Sequence, residues 1–279
     1  MRAFRDQFSY LNKSEEHCIR RLTFTKEAVM EICQLLWPQL QSRAKIALPV
    51  AVKVTMALNF YGSGSFQASA GNMCTISQYV VHCCIRVVTD TLYEIRNRFI
   101  TFPLDRDKQN ERAQGLARIA DFSMVQGAID CTHIVLRAPH INSAVFVHMQ
   151  LVCNHTYRIM EVDALYPGSS HNAFVMQQSN MPAIFHLARQ VEGWLLGDKD
   201  YPLKWWLMTP VRNPHTRAEQ AYIESYAVTC NIVEHTIGLL KQYFRCLDRS
   251  GGALQFSPER VGRFVVVCCM LHNLAIVRD

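Results

Sequence analysis

Apolar residues recur at helical spacing through the first third of the chain. Between Lys26 and Leu36, the residues Val29, Ile32, Cys33 and Leu36 fall three or four apart, after Thr25 as an N-cap residue and before Trp37-Pro38, which the pattern takes as the stop. Pro49 opens a second helix through Val52, Thr55, Met56, Leu58 and Phe60, and Gly62-Ser63-Gly64-Ser65 breaks it. A third helix starts near Ser77 and is predicted to run to about Phe99, with Val80, Val81, Cys84, Val87, Val88, Leu92 and Ile95 on its apolar positions. The segment from Phe99 to Asp121 is mixed, with Pro103 and a run of charges, and reads as a boundary.

The period then changes. Val125 to Leu136, Gln150 to Cys153 and Arg158 to Leu165 are strand candidates, the last two separated by the turn-like Asn154-His155-Thr156-Tyr157. Pro167-Gly168-Ser169-Ser170 leads into a short helix from His171 to about Gln178, and Trp194 to Gly197 is a further short strand. From Arg217 the pattern is helical again. Ser257-Pro258-Glu259 is a good helix start, and Phe264 to Leu271 is apolar all round, so that helix is expected to be buried. Three strands, a helix, a strand and then helices make a mixed α/β domain over residues 123–279, preceded by a helical region over 1–122.

Composition sharpens this picture in three ways. The chain has 279 residues, 49% hydrophobic and 19% charged, which suits a folded core rather than disorder. The longest unbroken apolar run, Phe264 to Leu271, is only eight residues, so no membrane span is expected, and no leader is visible behind Met1-Arg2-Ala3. Eleven cysteines without a CxxC suit free thiols in a reducing compartment. The net charge of +6 is concentrated. Residues 1–122 carry 16 Lys+Arg against 11 Asp+Glu, and residues 123–279 carry 13 against 12. A polyanion such as DNA can use that excess, although an ordinary solvated surface explains it as well. A helix, a glycine turn and a second helix beginning Ile76-Ser77-Gln78 also has the outline of a helix-turn-helix, whose second helix enters the major groove.

Three acids stand where acids are expensive. Asp130 interrupts the apolar strand Gly127 to Val135, Asp198 ends the strand Trp194 to Gly197, and Glu234 lies on a helix within Asn231-Ile232-Val233-Glu234-His235-Thr236. Carboxylate oxygens are the preferred donors for Mg²⁺, and carboxylates from separate elements can hold two such ions about 3.5–4 Å apart for phosphodiester chemistry. Glu234, Gly238, Lys241 and Arg245 share one helix face, and Val233, Ile237, Leu240 and Phe244 form the core face. The competing reading is structural: Asp130 at an edge or bulge, Asp198 in a turn, Glu234 in solvent. Cys131 with His133, and Cys153 with His155, are either zinc ligands at unusual spacing or partly buried strand residues, and His133 is a candidate for orienting Asp130. Trp205-Trp206 is either a base-stacking platform or core. No nucleophile elbow and no phosphate-binding Gly-Lys-Ser/Thr loop occurs.

The ordered motifs Ala57-Leu58-Asn59-Phe60-Tyr61, Gly64-Ser65-Phe66-Gln67, Gly127-Ala128-Ile129-Asp130-Cys131-Thr132-His133, Tyr166-Pro167-Gly168-Ser169 with His171, Leu196-Gly197-Asp198, Trp206 to Pro210, Val233-Glu234, Phe244 to Asp248, Gly252 to Gln255 and Leu271-His272-Asn273 run over nearly the whole chain. Together they resemble the PIF/Harbinger family of DDE transposases. The resemblance implies an RNase H-like fold, with catalytic and metal-binding roles for Asp130, Asp198 and Glu234, and Mg²⁺ or Mn²⁺, as two ions, as cofactor. The 35 residues between Asp198 and Glu234 are a typical family spacing. It implies cleavage of DNA phosphodiester bonds, a Myb-like accessory partner, and a place in nucleus and cytoplasm; a homo-oligomer is a further possibility on which the sequence is silent. The sequence also departs from the family. The basic Asn-Arg-Lys-Gly stretch before Val147-His148-Met149 is missing, and Asn72, Asn172, Asp200 and Cys230 replace the usual Asp, acid, Gly and Arg. A second expectation is therefore a domesticated, inactive protein that binds DNA or a partner without cutting.

Overall fold

The computed structural model describes residues 14–41, 48–64, 76–137, 144–188, 191–249 and 253–276. These contain nine α-helices and a five-stranded mixed sheet. The chain forms two compact units that interleave along the sequence, so the first draws residues from both sides of Phe122. It comprises 1–97, 135–144 and 240–268, and the second comprises 98–134, 145–239 and 269–279.

The first unit is helical. It holds α1 (Glu15–Leu22), α2 (Lys26–Leu40), α3 (Val50–Ser63) and α4 (Gln78–Glu94). Thr25 caps α2 as expected, its hydroxyl accepting from the Ala28 N–H at 3.2 Å. The helix does not stop at Trp37-Pro38 but continues through Pro38 to Leu40. A proline this close to the end forfeits one hydrogen bond only, and buried Leu36 and Leu40 hold the last turn in the core. Gly64 ends α3 with φ 62°, the left-handed conformation that glycine adopts without penalty. α3 is buried almost all round, and its Phe60 and Tyr61 rings meet Phe264 at 5.3 and 6.1 Å. The Tyr61 and Thr89 hydroxyls pair at 2.6 Å, so the buried Tyr61 hydroxyl is satisfied. α4 ends at Glu94, short of Phe99. The Ile95 N–H is shared between the carbonyls of Leu92 and Tyr93, and the chain tightens into a 3₁₀ turn at Arg96–Arg98. The turn of the expected helix-turn-helix, the Phe66-Gln67 motif, Asn72 and the shortened link from β1 to β2 (138–143) lie outside the described residues.

The second unit carries the sheet, in the order β3-β2-β1-β4-β5. The strands are β1 (Val125–Arg137), β2 (Ala144–Cys153), β3 (Ile159–Pro167), β4 (Trp194–Gly197) and β5 (Leu207–Met208). β2 and β3 are antiparallel, and β4 runs parallel to both β1 and β5. The β2–β3 turn is locked by Asn154, whose Oδ1 accepts from the N–H groups of Thr156 and Arg158 at 3.1 and 3.0 Å. β3 is then clamped at its start by Asn273 of the C-terminal helix. The Asn273 amide donates to the Ile159 carbonyl at 2.7 Å and accepts from its N–H at 2.8 Å. The motif Leu271-His272-Asn273 thus anchors the sheet. Helices α6 (Asn172–Gln178) and α7 (Met181–Ala188) follow β3. Met176, Met181 and Phe185 pack with Ile129, Met160, Leu195 and Trp206 in one apolar cluster, the Phe185 and Trp206 rings stacked at 4.9 Å.

The supposed boundary at 99–121 contains a 15-residue helix, α5 (Arg106–Ala120), capped by the Asp105 carboxylate. Its inward positions are Gln109, Arg112 and Leu116. Arg112 donates to Gln126 Oε1 at 2.9 Å and to the Pro103 carbonyl at 3.0 Å, and Gln126 in turn donates to the Glu192 carbonyl at 2.9 Å. The last long helices are α8 (Arg217–Tyr243) and α9 (Pro258–Ile276). Ser257 precedes α9, and its apolar run is buried throughout, as the sequence predicts. No described helix is long and apolar enough to cross a membrane.

Candidate active site

Two of the three acids are placed by strand pairing. Ile129 pairs with Gly197 in the parallel β1–β4 ladder, so Asp130 and Asp198 leave the sheet side by side from adjacent strands. Gly197 makes this close approach feasible. A Cβ there would lie 3.0 Å from Ile129 Cγ2 and 3.0 Å from the Tyr201 ring. The Gly197 carbonyl also accepts from the Tyr226 hydroxyl of α8, which ties that helix to the end of β4.

Glu234 sits two turns further along α8, exposed, between buried Val233 and Ile237. The expected core face, Val233, Ile237, Leu240 and Phe244, is buried throughout. The expected polar face is helical only as far as Lys241. α8 ends at Tyr243, and Arg245 begins a 3₁₀ turn.

The Asp130 carboxyl feels the other two acids. The Asp130 carboxyl is pushed up to about 6 by burial first, with Asp198, Glu234 and Asp200 adding to the shift, against a hydrogen bond from the Cys131 N–H at 2.7 Å. Asp198 is also raised, by burial and by Asp200, while the Asp200 N–H, the Asn172 amide and Lys199 pull it back. The half-buried thiol of Cys230 reports the same field. Burial first, and then Asp130, Glu234 and Asp198, push it up to about 12 against a hydrogen bond with Tyr226. A partly dry cluster of like charges is poised to accept a cation, and carboxylate oxygen suits a hard divalent one. Among the described residues, however, no three His, Cys, Asp or Glu side chains close around a single ion. One oxygen of Asp130 and one of Asp198 are engaged by neighbouring N–H groups instead.

The opposite face of β1 is different in kind. Side chains alternate along a strand, so Cys131 and His133 point away from Asp130. This corrects the expectation that His133 orients Asp130, because the His133 Nε2 pairs with the Gly168 carbonyl at 3.0 Å. Its ring lies edge-on to His148 of β2, with centroids 4.8 Å apart. Burial, and then His133, hold the His148 imidazole below the usual histidine range, with Asn172 opposing. These histidines line a cleft of about 670 Å³ with Ser169, His171, Lys199, Asp200 and Arg212. Asn172 borders both the His148 ring and the Asp198 carboxylate, so one amide links the two faces. The sequence reading missed His148. The available signal was a histidine inside the otherwise buried run Val147 to Val152.

Neither Cys-x-His pair gathers a zinc-like ligand set among the described residues. Cys153 is buried and accepts from the Thr236 hydroxyl at 3.3 Å, and a Cβ on Gly115 would run into the His155 ring. The Trp205-Trp206 pair splits between its two readings. Trp206 is core at 1% exposure, and Trp205 is 57% exposed.

The mixed α/β unit thus presents Asp130 and Asp198 from adjacent parallel strands, with Glu234 on the long helix α8. The chain belongs to the DDE superfamily of endonucleases, whose family pattern matches residues 129–273. It is 32% identical to the protein named "Putative nuclease HARBI1" of Homo sapiens and equally so to that of Bos taurus, over 97% of this chain and 80% of each relative. Protein ALP1-like of Arabidopsis thaliana is 23% identical over 80% of this chain and 60% of its own length. No solved structure matches.

Proposed function

We propose that the protein is a divalent-cation-dependent endonuclease that cuts DNA phosphodiester bonds, with Asp130, Asp198 and Glu234 as its catalytic acids. The observation that carries this reading is electrostatic. Burial raises the Asp130 pKa, and the carboxylates of Asp198 and of Glu234 on α8 add to it, in a chain of DDE superfamily membership. The strand order, with the first acid on the central strand and the second on its parallel neighbour, supports an RNase H-like core for residues 123–279.

Asp130 and Asp198 would hold Mg²⁺ or Mn²⁺ between them, with Glu234 completing the set from the helix. When bound, such ions activate the attacking oxygen and neutralise charge on the phosphate. The chain supplies the remaining requirements. Asp130, near 6, is mostly ionised at neutral pH yet retains enough desolvation to favour a cation strongly. Gly197 and the Tyr226 hydroxyl fix the separation of the strand ends, and Asn172 steadies Asp198. In the region 1–122, α4 exposes Gln78, Tyr79, Cys83 and Arg86 along its first turns, a polar stripe suited to a DNA groove. A Myb-like partner and residence in nucleus and cytoplasm complete the proposal by family likeness.

The test is cleavage of duplex DNA in Mg²⁺ or Mn²⁺. Wild type cuts, and Asp130→Ala does not. Cleavage that survives this substitution contradicts the assignment. A second reading, a DNA-binding protein that has lost the chemistry, is favoured by the absence of a closed three-ligand group among the described residues. Cys230 and Asp200 deepen that case, because the usual Arg would have offset the acids and Asp200 adds to them. Binding of DNA by wild type with no cutting in either metal would establish the second reading.

A further inference from the structure

The cleft on the far face of β1 has a feature the carboxylates do not explain. His148 is 2% exposed, and neither of its ring nitrogens makes a hydrogen bond of good geometry, the Asn172 amide being the one polar group beside it. A buried imidazole in that state has been taken from water with little compensation, which native structures rarely tolerate unless a ligand completes the site. The groups around it specify that ligand. Lys199 and Arg212 bring two positive charges against one from Asp200, and Ser169 and Ser170 add hydroxyl donors. The His133 Nε2–H already donates to the Gly168 carbonyl. The lining is thus rich in donors and net positive, which fits an anion with several acceptor oxygens. It does not fit a metal ion, because no three ligating side chains gather there among the described residues. A cleft of about 670 Å³ accommodates a nucleotide-sized group.

We propose that this cleft is a phosphate subsite that grips a DNA backbone phosphate next to the one being cut, with His148 donating to a phosphate oxygen and Lys199 and Arg212 neutralising it. The inference rests on the nuclease reading for its biological ligand. Asn172, between His148 and Asp198, places the gripped phosphate beside the acids without letting the two like-charged groups share a surface.

The probe is thymidine 5′-monophosphate, followed by the histidine ring resonances of the ¹⁵N-labelled full chain without added metal. The nucleotide should shift the His148 ring signals, and thymidine should leave them in place. Lys199→Ala with Arg212→Ala, both at exposed positions, should weaken nucleotide binding at least tenfold with the melting temperature unchanged. His148→Gln, which keeps one donor, should bind more weakly than wild type but better than His148→Phe. Equal shifts with thymidine, wild-type affinity in the double variant, or no shift at all would each overturn the proposal. The two readings fail separately. Nucleotide binding without DNA cleavage removes the nuclease and leaves the phosphate site, and cleavage without nucleotide binding does the reverse.

Discussion

The two faces of β1 bury polar groups under the same strand and leave opposite demands. On one face, Asp130 meets Asp198, Glu234 and Asp200, and the local deficit is positive charge. On the other, His148 meets only a second imidazole and an amide, with Lys199 and Arg212 at the rim, and the deficit is an anionic acceptor. A phosphodiester with a divalent cation supplies both at once. The comparison shows why polar burial is informative. Each group left short in the protein alone names the complement that would satisfy it.

The contrast can be broken most directly at Asp130. Asp130→Ala should lower cleavage by on the order of 10³-fold, about 4 kcal/mol of barrier, in a metal-supplemented nicking assay. The same acid should cost the fold stability. Its pKa is raised to about 6, so its stabilising contribution is whole below the ordinary Asp value of 3.8, declines as pH rises, and is gone above about 6. Asp130→Asn should therefore stabilise the protein by roughly 1–2 kcal/mol at pH 7.5 and by almost nothing at pH 4, read from urea midpoints. On the other face, His148→Phe should leave stability within about 1 kcal/mol, because it removes two poorly partnered polar atoms while keeping an aromatic ring of similar size. A loss well beyond that would mean that His148 is structurally satisfied, and the two faces would no longer differ. The smallest effect concerns the ion. Mn²⁺ should raise the melting temperature by a few degrees at pH 7.5 and less at pH 5, where Asp130 holds its proton.

Asp130 and Asp198 stand out in the sequence because one interrupts and the other ends an apolar strand, and α9 because its run of apolar residues admits only burial, whereas Glu234 lies at an exposed helix position without such a signal. The sequence order of the strands also survives, down to Trp194–Gly197. What escaped was polar burial. α5 faces inward with Gln109, Arg112 and Leu116, so only one of three core positions carries an apolar signal, and a helix looks like a charged linker. β5 is two residues long, too short for any period to register. The histidine cleft escaped for a different reason. His133 and His148 meet only once β1 and β2 lie together, and neither residue is unusual alone. For the acids, the sequence supplies identity and order, but their registry belongs to the β1–β4 ladder.

That registry is eased by a missing methyl. At Gly197 a hydrogen stands where any other residue would crowd the Ile129 and Tyr201 side chains by a few tenths of an ångström. Copies of such a gene that drift after losing their mobile role can keep all three acids and still misalign them through this one position. Counting surviving acids is therefore a poor census of surviving enzymes, and the glycine before the second acid is the better character to score.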